Sequence, residues 1–344
     1  MAANLYDLNF EGLTDLLREL KQPGFRAKQI WQGMYQNLWS DIKDFSNVPL
    51  SLRSQITSQY RLGGFILEKE LSSADGQTIK YLYRLEDGSA IETVLMAYHE
   101  RNTVCISSQV GCAMGCKFCA TGDMGFIRNL TSGEIIEQVI NSAAILASIG
   151  KKLTNVVFMG MGEPFHNYQA VMEAIKILND PDGFGMGKRR FTISTVGIIP
   201  GIKELTMERS QVNLAISLHA ADDQLRSKIV PVNSKYNITS LMAACDEYLE
   251  ETKRRITIEW ALIDEVNDSV EQAHKLADLI KGKLFHVNLI QLNPVDHYSG
   301  KPSQDESARK FQKIIEAVGI PCTIRLRRGI DIQAGCGQLA SETN

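Results

Sequence analysis

Three cysteines, Cys112, Cys116 and Cys119, stand within eight residues in the run Gly111-Cys112-Ala113-Met114-Gly115-Cys116-Lys117-Phe118-Cys119. Thiolates are the usual ligands of iron-sulfur clusters, which commonly take four. A C-x3-C-x2-C set therefore suits a four-iron cluster with one iron left open to a substrate or cofactor, which suggests chemistry rather than electron storage. The plainer alternative is structural zinc, with Cys105 completing a four-cysteine tetrahedron. Zinc sites usually pair C-x2-C with a second pair a dozen or more residues away, whereas Cys105 sits seven residues upstream in the same stretch, in an apparent strand.

The other thiols differ in setting. Cys245, in a helical pattern, and Cys322, in the strand-like run Pro321-Cys322-Thr323-Ile324, read as buried small hydrophobes. Cys336 lies in Gly335-Cys336-Gly337 near the C-terminus. Flanking glycines predict an accessible thiol on a flexible loop, suited to nucleophilic work. Glu92 shares a strand face with Ala90, Val94 and Met96. A carboxylate on such a surface needs a salt-bridge partner, or it is an acid or base with a raised pKa.

The elements that must position these residues are legible in outline. The 344 residues, 44% apolar and 7% aromatic, fit one large barrel with a small appendage. Residues 1–61 read as a helical unit: Leu13, Leu16, Leu17 and Leu20 share one face, Phe25, Ile30, Trp31, Met34, Tyr35 and Leu38 supply a second pattern, and Pro23-Gly24 separates them. Residues 62–102 read as a short antiparallel β meander with turns at Asp75-Gly76 and Asp87-Gly88. Residues 103–344 alternate strands and helices. Apolar runs at 104–110, 155–159, 191–194, 214–218, 256–262 and 287–292 predict six parallel strands in a partial barrel. Thr131-Ser132-Gly133-Glu134 predicts a capped helix start, with Gly150 as its stop.

In parallel α/β barrels, chemistry collects at the C-terminal strand ends. There stand the three cysteines, then Gly160-Met161-Gly162-Glu163-Pro164, then Ser194-Thr195-Val196-Gly197, then Ser217-Leu218-His219, and finally Asn293-Pro294. Each alone reads equally as a turn or a core residue; together they outline a pocket for a polar cofactor with amine, carboxylate and ribose groups.

Bulk charge gives no argument for nucleic acid, since the net value is −3. Lys188-Arg189-Arg190, Lys253-Arg254-Arg255 and Arg325 with Arg327-Arg328 are local basic clusters that read first as solvated faces, and Lys21, Arg26, Lys28 and Gln29 could touch a nucleic-acid backbone or simply cap the barrel. No apolar run reaches the roughly 20 residues of a membrane helix, and the start lacks a basic n-region with an apolar h-region. Seven cysteines, mostly clustered, suit a reducing compartment. The expectation is a cytoplasmic protein.

The C-x3-C-x2-C run resembles the radical S-adenosylmethionine superfamily. Cys105-Ile-Ser-Ser-Gln-Val-Gly-Cys112, the Gly-Met-Gly-Glu-Pro run, Ser217-Leu218-His219 and the tail Asp331-Ile332-Gln333-Ala334-Gly335-Cys336-Gly337-Gln338-Leu339 together resemble, more narrowly, the RlmN/Cfr RNA methyltransferases over nearly the whole chain. The resemblance implies an α/β fold, a partial (β/α)6 radical-SAM barrel behind a small N-terminal helical domain that contacts RNA. It implies methylation of an adenine ring carbon, C2 in 23S rRNA and certain tRNAs for RlmN, or C8 in 23S rRNA for Cfr. Adenine C2 is electron-poor, so a radical route avoids a mismatch of polarity with an electrophilic methyl donor.

By matching position, the resemblance implies that Cys112, Cys116 and Cys119 hold a [4Fe-4S] cluster whose open iron binds S-adenosyl-L-methionine. Gly162, Glu163, Ser194, Ser217, Leu218, His219 and Asn293 match its cofactor-binding positions. Cys336 would accept a methyl group, a second cofactor molecule would supply the radical that activates it, and Cys105 would release the product through a transient disulfide. Glu92 matches the proton acceptor. Gly115 to Asp123 is similar to the Cfr branch, whereas Val110, Glu163-Pro164 and Arg327-Arg328-Gly329 are similar to RlmN, and C2 chemistry is the favoured expectation. An electron donor such as flavodoxin or ferredoxin and a monomeric state are also expected. A C8 methyltransferase, a radical enzyme acting on a small molecule or peptide, and a zinc-stabilised RNA-binding protein remain as alternatives.

Overall fold

The computed structural model describes residues 2–340. Ten strands form one sheet in strict chain order: β1 (Ile66–Ser72), β2 (Thr78–Arg84), β3 (Ala90–Ala97), β4 (Asn102–Cys105), β5 (Asn155–Phe158), β6 (Phe191–Thr195), β7 (Asn213–Ser217), β8 (Ile256–Leu262), β9 (Phe285–Gln291) and β10 (Cys322–Ile324). From β1 to β4 the neighbours are antiparallel, and from β4 to β10 they are parallel. Among the described residues the two ends of the sheet do not pair, so the barrel stays open.

The expected six parallel strands are β4 to β9, and β10 adds a seventh. The meander is not separate from the barrel; β4 is both its last strand and the first of the parallel series. It also has one strand more than the sequence suggests, because β1 is exposed along nearly all its length and so carries no alternating apolar signal.

Helices cross between the parallel strands: α1 (Ser132–Ser148), α2 (Tyr168–Asn179), α3 (Ile199–Met207), α4 (Asp223–Ile229), α5 (Ile238–Thr252), α6 (Val270–Ile280) and α7 (Asp305–Ala317). The first starts where its sequence demands. Thr131 Oγ1 accepts the Glu134 N–H at 3.1 Å and Glu134 Oε2 accepts the Thr131 N–H at 2.9 Å, satisfying donors that a helix start leaves open. Ile135, Ile136, Val139 and Ile140 are buried behind it.

The N-terminal helices, Phe10–Glu19, Phe25–Tyr35 and Leu50–Thr57, bury Leu13, Leu16, Leu17, Ile30, Trp31, Met34 and Tyr35, while Phe25 is exposed. The unit is tied to the outside of α1: Asp7 Oδ1 accepts the Gly133 N–H at 2.6 Å, and Glu137 accepts the Gly64 and Phe65 N–H groups at 2.7 and 2.8 Å. Two residues considered for a nucleic-acid backbone have partners within the chain, Lys28 in a pair at the surface. Arg26 binds Gln29 and the Asn47 carbonyl, and Lys28 pairs with Asp182 at 3.1 Å. Among the described residues no helix is long and apolar enough to cross a membrane.

Candidate active site

The three-cysteine loop leaves β4 through a hairpin, Gln109–Gly111 paired antiparallel with Phe126–Asn129. Gly111 has φ +70°, and a Cβ there would stand 1.9 Å from the Gly125 carbonyl oxygen. No side chain fits that crossing. Inside the hairpin the Cys112 N–H bonds the Gly125 carbonyl at 2.8 Å, and the Lys117 N–H bonds the last residue of α4, Ile229, at 3.0 Å. The loop is thus fixed between its own hairpin and the far side of the barrel.

A cleft with about 850 Å³ of empty space, its open mouth included, lies at the C-terminal strand ends. Cys116 and Cys119 line it with Gly162, Glu163, Ser194, Ser217, His219 and Asn293, so strand ends far apart in sequence converge. Cys112 is buried beside the other two thiols. Leu218 differs: its side chain is fully buried and does not line the cleft, its carbonyl accepts from Arg226 Nε at 3.1 Å, and its N–H bonds the Glu259 carbonyl at 3.1 Å. Burial pushes the Cys112 thiol up to about 12 and raises Cys116 and Cys119 as well.

Glu163 is buried, and desolvation raises its pKa to about 7 although the Val196 and Phe165 N–H groups bond its two oxygens at 2.9 and 3.0 Å. Its own N–H bonds Gln109 Oε1 at 2.8 Å, and Gly162 (φ +98°) packs so closely over Gln109 that a Cβ would clash at 2.5 Å. His219 has φ +61°, and its ring meets Phe118 edge-on at 4.8 Å. Its Nδ1 accepts the Ala261 N–H at 2.9 Å, which places the proton of the neutral ring on Nε2. Burial, with Arg226 nearby, lowers its pKa to about 3, so the ring is neutral at pH 7.

Cys336 was expected on a flexible loop, and the structure corrects that. Asn293 Nδ2 bonds the Cys336 carbonyl at 3.1 Å, the Ala120 N–H bonds the Gly337 carbonyl at 2.7 Å, and Gln338 reaches the Pro294 carbonyl at 2.8 Å. The tail is pinned to the cysteine loop. Cys336 keeps accessible surface because it forms part of the wall of two cavities, the cleft and a smaller one beyond it. Burial raises its thiol pKa, and Arg325 acts in the opposite sense.

The smaller cavity holds Cys105, Met96, Tyr98, Met159, Arg325 and Arg328. Cys105 therefore faces Cys336 and not the cleft of the triplet. All seven cysteines are free thiols, and desolvation pushes Cys105 up to about 12. Tyr98 lies between two guanidinium groups, Arg101 at 4.3 Å and Arg328 at 4.5 Å from its ring centre.

Glu92 is on the face that carries Cys105, since Val94 pairs with Cys105 across β3 and β4. It does not line the cleft. Its carboxylate pairs with Lys80 at 2.9 Å and accepts the Ala340 N–H at 3.0 Å, in a separate hollow with Lys69 and Gln333. The salt-bridge reading of this buried acid is thus seen directly, under the C-terminal segment.

Sequence reasoning missed Gln109, Arg226 and Glu259, and read Arg325 first as part of a solvated basic cluster, whereas it lines the smaller cavity. Glu259, on β8, carried the signal that drew attention to Glu92, a carboxylate in an apolar strand. It is buried and lines the cleft; one oxygen accepts from Asn288 at 2.9 Å, and the other has no hydrogen-bond partner among the described residues.

Comparison with known proteins agrees with this geometry. Residues 106–280 match the radical SAM superfamily, and residues 3–62 match the ribosomal RNA large subunit methyltransferase N-terminal domain. A probable dual-specificity RNA methyltransferase RlmN of Chloroflexus aurantiacus is 46% identical over 98% of this chain and 92% of its own. The dual-specificity RNA methyltransferase RlmN 1 of Myxococcus xanthus is 46% identical over 98% and 94%. The crystal structure of a radical SAM methyltransferase from Sphaerobacter thermophilus superposes with a TM-score of 0.97 at 47% identity, covering 99% of this chain and 100% of that one. With the strand-end cleft, the cysteine loop and the N-terminal unit all matched, the chain belongs to the RlmN family of radical SAM, dual-specificity RNA methyltransferases.

Proposed function

We propose that this protein methylates C2 of an adenine in 23S rRNA and in certain tRNAs, and that the methyl group travels on Cys336. One observation carries the reading: Cys336 lines both the cleft onto which Cys116 and Cys119 of the triplet open and the cavity that holds Cys105.

The residues fit the groups that the reading requires. Three thiols at one loop suit a [4Fe-4S] cluster with an open iron. Glu259 Oε2 and Asn293 Oδ1 are buried acceptors without hydrogen-bond partners among the described residues, and both residues line the cleft. Such orphans are costly unless a ligand satisfies them, and S-adenosyl-L-methionine brings amine and hydroxyl donors. Zinc fits less well, because Cys105 faces Cys336 rather than the triplet.

Bound together, the cluster and S-adenosyl-L-methionine supply an electrophilic methyl group and, on reduction, a carbon radical. The chain supplies the rest. Cys112, Cys116 and Cys119 hold the cluster. Gly162, Glu163, Ser194, Ser217, His219 and Asn293 orient the cofactor, and Leu218 does so through its backbone. The Cys336 sulfur accepts the methyl group and presents it to the adenine from the cleft wall. Attack of the Cys105 sulfur on Cys336 forms an S–S bond as the bond from Cys336 to the transferred carbon breaks. The electron pair of that bond stays with the carbon, which takes up a proton to become methyl. Glu92 would accept the proton lost from C2, and the unpaired electron of the adduct would return to the oxidised cluster, so that the carbon is held as a closed-shell thioether on Cys336 before Cys105 attacks.

A reductant then reopens the disulfide, and a low-potential protein such as flavodoxin or ferredoxin supplies electrons to the cluster. The remaining expectations, a cytoplasmic monomer with residues 1–61 helping to engage RNA, belong to the same proposal. Anaerobic incubation with S-adenosyl-L-methionine, a reductant and 23S rRNA or tRNA, followed by mass spectrometry of the nucleosides, is expected to find methyl at adenine C2. Methyl at C8 instead would assign Cfr-type chemistry.

A further inference from the structure

Arg226 has no part in the mechanism above, yet among the described residues it is the most completely buried charged side chain, with 0% of its surface exposed. A guanidinium is placed in such a site only at a large desolvation cost. Its hydrogen bonds account for how that cost is met. Nη2 donates to the Val196 carbonyl at 2.6 Å, Nε to the Leu218 carbonyl at 3.1 Å, and Nη1 to Asn233 Oδ1 at 2.9 Å and the Tyr236 carbonyl at 3.3 Å. Among the described residues none of these acceptors is a carboxylate.

The acceptors are informative. Val196 follows β6 and Leu218 follows β7, and both segments line the cleft through their neighbours Ser194, Ser217 and His219. Val196 is gripped from two sides, since its N–H bonds Glu163 Oε2 at 2.9 Å while its carbonyl receives Arg226. One side chain therefore sets the spacing of three strand-end segments, those carrying Glu163, Ser194 and the Ser217-Leu218-His219 run. A rigid five-donor fork can do this, whereas an ammonium on a flexible stem cannot.

Its charge has a direction as well. Arg226 lies in α4, and the residue that ends this helix, Ile229, receives the Lys117 N–H of the cysteine loop at 3.0 Å. The charged or ionisable neighbours of the guanidinium are Cys116, Asp223, Cys245 and His219, and His219 is neutral. Of the acidic groups, Asp223 spends one oxygen on the Ile238 N–H at 2.9 Å, and Cys245 is sealed in the core. Cys116 is the one that opens onto the cleft.

We propose that Arg226 is a positioning residue of the methyl-transfer reaction: its fork fixes the strand ends that bind S-adenosyl-L-methionine, and its buried positive charge offsets the negative charge of the reduced cluster through Cys116. This rests on the reading of the triplet as a cluster site. Burial and nearby charge are the protein's means of tuning cluster potential.

The test uses the full chain, reconstituted anaerobically, with Arg226→Lys and Arg226→Gln. Iron and sulfide content, the midpoint potential from an EPR-monitored titration, and S-adenosyl-L-methionine affinity are measured for each. Arg226→Lys is expected to keep the wild-type potential and to bind the cofactor at least tenfold more weakly, because charge remains and the fork is lost. Arg226→Gln is expected to show both the weaker binding and a more negative potential. Wild-type affinity in Arg226→Lys, or wild-type potential in Arg226→Gln, would overturn the proposal. Should Arg226→Gln fail to fold, the affinity of Arg226→Lys decides alone. Failure of the wild type to load iron would instead overturn the cluster reading, so the two failures are distinct.

Discussion

On one side of Cys336 the cleft is walled by backbone turns, small residues and buried acceptors at the ends of parallel strands; on the other, the smaller cavity is walled by Cys105, two methionines, Tyr98 and arginines. The first is built on β5 to β9, whose helices cover it. The second lies where the parallel series meets the antiparallel strands and the C-terminal tail. Under the proposed function this contrast is a division of labour, in which the cleft would make a reactive carbon and the second cavity would use it. Met159, Ile290, Asn293 and Cys336 line both, and of these four only Cys336 carries a nucleophile.

Removing Cys336 should break the comparison most completely. Cys336→Ala is expected to lower RNA methylation by roughly 10⁴-fold or more, the scale of losing a nucleophile, while iron and sulfide content stay at wild-type levels. A comparable loss is expected for Cys105→Ala, but with a different signature. The cleft side still works, so the RNA remains covalently joined to the protein and migrates with it on a denaturing gel; a free, unmodified RNA would place Cys105 outside the release step.

Lys80 and Glu163 sharpen the comparison by charge. Lys80→Met leaves the buried Glu92 with the Ala340 N–H but without its ammonium, and should cost about 3–5 kcal/mol of stability, the usual range for breaking a buried pair from one side. A melting temperature close to wild type would show the pair to be dispensable for the fold. Glu163 works in the opposite sense. Its folded pKa, about 7, lies above the ordinary 4.5, so the native state holds a proton that the unfolded chain releases. Stability is therefore greatest below the unfolded value and falls as pH rises from 4.5 to about 7, by about 3 kcal/mol in all. Glu163→Gln should flatten the apo protein's stability across that window, and an unchanged profile would assign the dependence to another group.

Much of this was legible in the sequence, and the exceptions share a physical cause. The run from Ile256 to Leu262 has the boundaries its apolar sequence predicts because the strand is buried on both faces, with six of its seven residues in the interior. The strand Ile66–Ser72 has no apolar alternation to read, since it is solvated and pairs with β2 through backbone hydrogen bonds and the surface ion pair of Arg84 with Glu68. Among site residues, short spacing and strand-end position led to the cysteines, Glu163 and His219. Arg226 was missed because a short helix reading Asp-Gln-Leu-Arg-Ser-Lys-Ile looks like surface; only the tertiary fold shows its guanidinium surrounded by carbonyls. Leu218 was read as a cofactor contact from its place in a motif, although motif membership does not say whether side chain or backbone acts. The glycines beside Cys336 suggest a flexible loop, whereas its segment is held by partners distant in sequence: Asn293 and Ala120 donate to it, and Gln338 donates to the Pro294 carbonyl.

The central claim is that the methyl group passes through Cys336 from one cavity to the other. The most direct measurement treats the reconstituted protein with S-adenosyl-L-methionine carrying a labelled methyl group, removes the excess, and follows the label by mass spectrometry after adding RNA, unlabelled S-adenosyl-L-methionine and reductant. The label should appear first on the peptide containing Cys336 and then move to C2 of adenine. An unlabelled Cys336 peptide together with labelled RNA, or a label that stays on Cys336 while RNA acquires only unlabelled methyl, would contradict the account.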